Sequence, residues 1–221
     1  MNPLTQQLSR SVATSLARQF ALMDLLGNRP WSVDTRAGLI FFGDDLRFPL
    51  QLLGTESHGD QSWLWAWANT QSNLPPDLLR AAEWLRDHGR QHGIPELTEP
   101  SLPLDRADGH LLALLSAGVT GRCYYRGPYQ GGALFVLLEN VPDVVFAPAH
   151  PERVLSVLGQ ALSTYELDHR TLVESFLVQQ GWQVESGPGF VGGRHPGGSS
   201  LRAELDSYGR IKDLESTLLP R

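Results

Sequence analysis

Cysteine and lysine are nearly missing from this chain, since Cys123 and Lys212 are the only examples among 221 residues. A single thiol excludes an internal disulfide and a zinc site built from several thiolates, and it suits a reducing compartment. The scarcity of lysine leaves arginine as almost the only cation, which points to a GC-rich genome rather than to selection for phosphate binding. No Gly-Lys pair occurs, so the P-loop spelling is absent, and no Gly-x-Ser-x-Gly elbow is present. Nothing approaches the roughly 18 to 20 uninterrupted apolar residues of a membrane span. The stretch Met1-Asn2-Pro3-Leu4-Thr5-Gln6-Gln7 lacks the cationic start and apolar run of a signal peptide. A net charge of −6 argues against general affinity for nucleic acid or anionic membrane, both of which call for a basic surface. The expectation is a soluble, cytoplasmic protein with neither nucleic acid nor membrane as a partner.

What is present begins with tryptophan. Trp63-Leu64-Trp65-Ala66-Trp67-Ala68-Asn69 alternates bulky and small residues, and in a strand this puts three indoles on one face with Leu64, Ala66 and Ala68 on the other. Such a strand either anchors a thick core or lines an aromatic pocket. The small face would suit close helix packing. With 41% hydrophobic residues, the chain has enough apolar material for a substantial core.

Periodicity organises the remainder. Leu8, Val12, Leu16, Phe20 and Met23 recur at helical spacing, so residues 3–26 read as an amphipathic helix stopped by Gly27. Residues 31–34, 39–42 and 46–55 read as strands that form an antiparallel meander with the tryptophan strand, Pro49 suggesting an edge or irregular position. Pro75-Pro76 opens a second helix, residues 94–106 an extended segment, and residues 107–117 a short helix with Asp108 near its start. Residues 122–126 and 133–139 read as a hairpin. Pro151 starts a helical stretch that Asp168 would break in two, and residues 182–185, 200–206 and 210–214 read as closing strands. The segments after Gly27 and Gly181 faintly echo each other, each following a helix and beginning a strand, as helix-to-strand junctions commonly do.

Several constellations carry chemistry on paper. Gly187-Pro188-Gly189-Phe190-Val191-Gly192 spells a dinucleotide loop, but Gly193-Arg194-His195-Pro196 follows where a helix should begin, so a flexible glycine-rich hairpin loop is the better account. His88 and His92, four apart, could ligate a metal, yet a solvated helix end explains them without one. No cofactor and no metal is expected. Cys123 would be a nucleophile only with a base such as His58, His110 or His150 beside it, and otherwise reads as a buried hydrophobe. Asp44, Asp45, Glu56 and Asp60 are carboxylates that turn chemistry alone predicts, with His58 among the last two.

Leu52-Leu53-Gly54-Thr55 followed by Ser62-Trp63-Leu64-Trp65-Ala66-Trp67-Ala68-Asn69 resembles the signature of an uncharacterised bacterial family, domain of unknown function 6882. The resemblance runs from about Trp31 through Tyr124-Tyr125-Arg126-Gly127-Pro128. It implies a bacterial origin and an α+β fold, and it supplies no activity, because that family has no assigned catalytic residues.

Together these features predict an α+β protein with mostly antiparallel, curved sheet and helices packed on one face. Residues 1–221 are expected to form a single domain, leaving room for a small helix-plus-strands subdomain over 165–221. The favoured function is a non-catalytic binding or protein-interaction protein, its cleft lined by Trp63, Trp65, Trp67, Tyr124 and Tyr125. The alternative is a small hydrolase or transferase using Cys123 or His58 with Glu56 or Asp60. Ligand, partner and oligomeric state are not legible.

Overall fold

The long strand Leu46–Ser57, the third in the chain, organises most of the molecule. The computed structural model describes residues 2–219 and holds, among them, five helices and eleven strands in an α+β arrangement. Contacts gather the chain into two compact units, one of residues 19–145 and one joining the first 18 residues to residues 146–221. Helix α1, Pro3–Leu26, contributes residues to both.

In the unit of residues 19–145, β1 (Trp31–Asp34), β2 (Leu39–Phe42), β3 (Leu46–Ser57), β4 (Ser62–Trp65) and β5 (Ser101–Pro103) follow one another antiparallel, and the hairpin β6 (Cys123–Tyr129) and β7 (Gly132–Leu138) adds through β7 to β3. Strand β2 pairs with Leu46–Pro49, β4 with Gly54–Ser57, and β7 runs along Leu50–Ser57. The Leu50 N–H donates to the Gly38 carbonyl on the β2 side, while the Pro49 carbonyl accepts from Glu139 on the β7 side. Pairing with β7 starts at Leu50, so the N–H that Pro49 lacks leaves no ladder bond unmade.

An extra residue, Leu53, interrupts the register between Leu52 and Gly54, and a bulge of this kind bends its strand. The sheet curls far enough for β1 to meet β6. Tyr125 lies edge-on to Trp31 at 5.9 Å and to Phe42 at 4.7 Å between ring centroids. Gly127 permits the contact, since a Cβ there would stand 2.6 Å from the Trp31 ring. By strand alternation, Trp31, Phe42, Tyr125, Leu134, Thr55 and Leu64 belong to the concave face.

The opposite face carries Glu56, Trp63, Phe135 and Arg126, and it is the face that the helices cover. Gln51 there accepts from the Ala81 N–H at the start of α2 (Arg80–His92), and Glu56 accepts from Gly109 at the start of α3 (Gly109–Thr120). Helices α2 and α3 therefore pack on the indole side and not, as the sequence suggested, on the alanine side. Leu85, Ile94 and Leu97 are almost fully buried, and each such side chain contributes about 1.5–3 kcal/mol.

The tryptophan strand is shorter than its alternation predicts. It ends at Trp65, and Ala66–Ala68 wind into a 3-10 turn closed by Asn69 N–H donating to the Ala66 carbonyl. Strand β4 runs out of partners here, because the ladder to β3 stops at Gly54 beside the bulge and the ladder to β5 stops at Ser101.

In the second unit, α4 (Pro151–Thr164) and α5 (His169–Gln179) precede a four-stranded meander, β8 (Gln183–Gly187), β9 (Phe190–Arg194), β10 (Ser200–Leu205) and β11 (Ile211–Thr217). Asp168 does separate the two helices, its Oδ1 accepting from the Thr171 N–H at 2.7 Å. The unit takes in more than residues 165–221, since α4 and the start of α1 belong to it. The glycine-rich stretch is mostly strand rather than loop. A Cβ at Gly192 would stand 2.4 Å from the Leu201 carbonyl and one at Gly193 3.0 Å from that of Gln183, so the glycines let three strands close up.

Candidate functional site

Strand β6 is an edge: among the described residues it pairs with β7 and with no other strand. Consecutive residues therefore alternate sides beside an open flank, with Tyr124 and Arg126 on the helix side and Tyr125 on the concave side. The last turns of α1, through Gln19, Met23 and Asp24, line the same space as His110, Tyr124, Tyr125 and Arg126, enclosing a groove of about 480 Å³. That volume falls within the range of small-ligand sites.

The polar wall of the groove is built in layers. Glu56, buried at 6% exposure, lies on the helix side of β3, where its Oε1 accepts from the Gly109 N–H at 2.8 Å. A carboxylate is favoured at that place, because the first N–H groups of a helix lack partners within the helix and the helix dipole is positive there. Asp108 satisfies a second N–H, accepting from Leu111 at 2.7 Å. The other Glu56 oxygen is 3.7 Å from Arg126 Nη2 and 3.9 Å from His58 Nε2. The Arg126 guanidinium also lies 5.9 Å from the centre of the Phe135 ring. Glu56 thus holds the arginine beside the groove while being held itself by the helix.

The aromatic wall is equally constrained. The buried Tyr124 meets His110 through its hydroxyl, 3.1 Å from Nδ1, and His110 stands edge-on to Phe135 at 5.7 Å. Burial pushes the Tyr125 hydroxyl above its ordinary pKa.

The remaining residues singled out in the sequence lie elsewhere. Trp63 and Trp65 are both at 0% exposure, 5.3 Å apart and nearly perpendicular, with Trp63 also edge-on to Phe135 at 5.2 Å. They form the core beneath the sheet, and the Trp65 indole N–H donates to the Glu96 carbonyl at 3.0 Å. Trp67, in the 3-10 turn, is half-buried under the guanidinium of Arg86 at 5.1 Å. Cys123 is buried at 2% exposure, and alternation puts it on the concave side, opposite to Tyr124. Asp60 is engaged within its own turn, accepting from the Ser57 hydroxyl at 3.1 Å.

Tyr124 and Tyr125 thus line the groove, and Glu56 stands behind it between Arg126 and His58, whereas Trp63, Trp65, Trp67, Cys123 and Asp60 do not line it. Arg126 and His110 complete the region without having been singled out for it. Arg126 follows Tyr124 by two positions, the strand period, which was the available signal.

His88 and His92 stack face to face at 4.0 Å, and Trp84 stacks on His88 at 5.3 Å. Among the described residues, no group of three or more His, Cys, Asp or Glu side chains could hold a metal ion, and no helix is long and apolar enough to cross a membrane. A family model described as a family of unknown function, DUF6882, matches residues 5–141. No curated protein and no solved structure matches the chain.

Proposed function

As the chain belongs to DUF6882, whose function is unknown, we propose from its geometry a non-catalytic, cytoplasmic binding protein whose contact site is the groove beside β6. The carrying observation is the convergence of Tyr124, Tyr125, Arg126 and His110 on one opening of about 480 Å³ next to an arginine anchored by a buried carboxylate. Pairing with Glu56 at 3.7 Å biases the guanidinium toward its place beside the groove before a ligand arrives, which lowers the ordering cost of binding. The chemistry favours a small molecule with a planar ring for the tyrosines and an acceptor end for His110 and Arg126.

Benzamide and benzoate are suitable probes, observed by ligand-detected NMR and by the emission of Trp31, which touches Tyr125. Saturable binding in the millimolar range is expected, weakened at least tenfold by Arg126→Gln. Absence of saturation, or equal binding by the variant, would refute the reading.

One contact favours the hydrolase or transferase alternative, the approach of His58 Nε2 to Glu56 Oε2 at 3.9 Å. Under that reading, Glu56 orients an imidazole base. A panel of ester and amide substrates whose turnover disappears in His58→Gln would establish it in place of the binding function.

A further inference from the structure

The concave face of the seven-stranded sheet is unevenly filled. Where β1 and β2 approach β6, the rings of Trp31, Phe42 and Tyr125 meet one another. Toward β4 the side chains are smaller, and Leu52, Leu64 and Leu134 surround a space of about 170 Å³. Ala66 and Leu74, at the two ends of the segment that follows β4, close its side. We infer that this space is a second binding site, for one small apolar group of the size of a benzene ring or a short branched alkyl chain.

Size and chemistry select that occupant. An engineered protein cavity of about 150 Å³ lined by apolar side chains stays dry and takes up benzene. Water is a poor filler here, since a buried water makes about three hydrogen bonds and the surface facing the space is mainly apolar, four leucines and Ala66 being among the ten residues that line it. The polar groups of Thr35, Thr55 and Asn69 also line the space, so a ligand with an apolar head and a single hydroxyl or carbonyl is accommodated. Asn69 is already fixed, its Oδ1 accepting from Ser72 N–H at 3.2 Å, and Asn73 follows in the left-handed region at φ 43°. The rim is therefore ordered by local contacts rather than by a ligand. Curling positions the walls, because the bulge at Leu53 restores Leu52 to the same face as Thr55.

Fluorobenzene, followed by fluorine NMR, is the probe. The full-length protein is expected to bind it saturably at millimolar or lower concentration. Leu134→Phe, which fills the space, should weaken binding at least tenfold, whereas Arg126→Gln in the β6 groove should leave it unchanged. Leu64→Ala enlarges the space and should shift preference toward 1-fluoronaphthalene, giving an independent reading should Leu134→Phe fail to fold. Failure of fluorobenzene to saturate overturns the inference, as does equal binding by folded Leu134→Phe or an unchanged preference in Leu64→Ala. Because Arg126→Gln reports on the other groove alone, either site can fail without the other.

Discussion

Gly109→Ala is a one-carbon change with a consequence set by geometry. The added Cβ would stand 2.5 Å from the Phe135 ring and 2.8 Å from Glu56 Oε1, both far inside van der Waals contact. Phe135 cannot retreat easily, being at 0% exposure and flanked by Trp63 at 5.2 Å and His110 at 5.7 Å. Glu56 must therefore yield, and its hydrogen bond to the α3 N-terminus stretches or breaks. Overpacking costs about 1–3 kcal/mol. Loss of a hydrogen bond to a charged group costs about 1.5–3 kcal/mol. The better helix propensity of alanine offsets up to about 1 kcal/mol. A net destabilisation of about 2–4 kcal/mol is expected, read as a lower urea midpoint with little change in slope. The benzoate affinity of the groove should fall with it, since Arg126 loses its anchor. Gly159→Ala in α4 is the control, because nothing lies within 4 Å of its added Cβ, and it should be neutral or stabilising by up to about 1 kcal/mol. A Gly109→Ala protein as stable as the wild type would refute the contact between carboxylate and helix, and with it the support of Arg126.

Two further outcomes follow from burial. Burial holds His88 below the ordinary imidazole pKa, with repulsion from His92 adding, and burial is likewise the largest cause for His169. Both therefore remain neutral in the fold at pH values where the unfolded chain already binds protons, so stability should drop as pH falls through about 6.5; urea melts from pH 7.5 to 5 should show this, and His88→Gln should flatten the slope. Cys123 should react with iodoacetamide at neutral pH only as fast as the protein opens, with urea accelerating the reaction; rapid labelling of the native protein would revive the thiol as a nucleophile.

The elements legible in the sequence are those whose signals are local. Residues 31–34 and 39–42 are strands at the boundaries that their β-branched and aromatic runs indicated, and α1 ends where Gly27 predicted. Asp108 and Asp168 cap the helices expected of them. Trp67 escaped the same reasoning because alternation describes one strand, whereas strand length depends on partners, and the partner ladder stops beside a bulge at Leu53 that only the β3–β7 register reveals. The face covered by helices was likewise invisible, because Ala66 and Ala68 look like a docking surface while the connection carrying Gly109 sends α3 to the side of Glu56. Arg126 and His110 line one groove because β6 lies at an edge, and edge status is a property of the sheet, not of the strand.

The faint echo between the segments after Gly27 and Gly181 has a structural counterpart that bears on where binding arises. Both glycines are in the left-handed region, at φ 58° and 75°, and each leads from a helix through a tryptophan into consecutive antiparallel strands, β1–β4 in one unit and β8–β11 in the other. The units diverge at β3, which is long enough to accept the β6–β7 hairpin on its second edge. That addition does two things. It supplies Leu134 as a wall of the apolar space, and it leaves β6 as an open flank where Tyr124, Tyr125 and Arg126 stand beside α1. Both candidate sites thus originate in the hairpin, so Gln130→Asn in its two-residue turn, which leaves the paired strands in place, should spare them, whereas any change that displaces β7 from β3 should abolish both together.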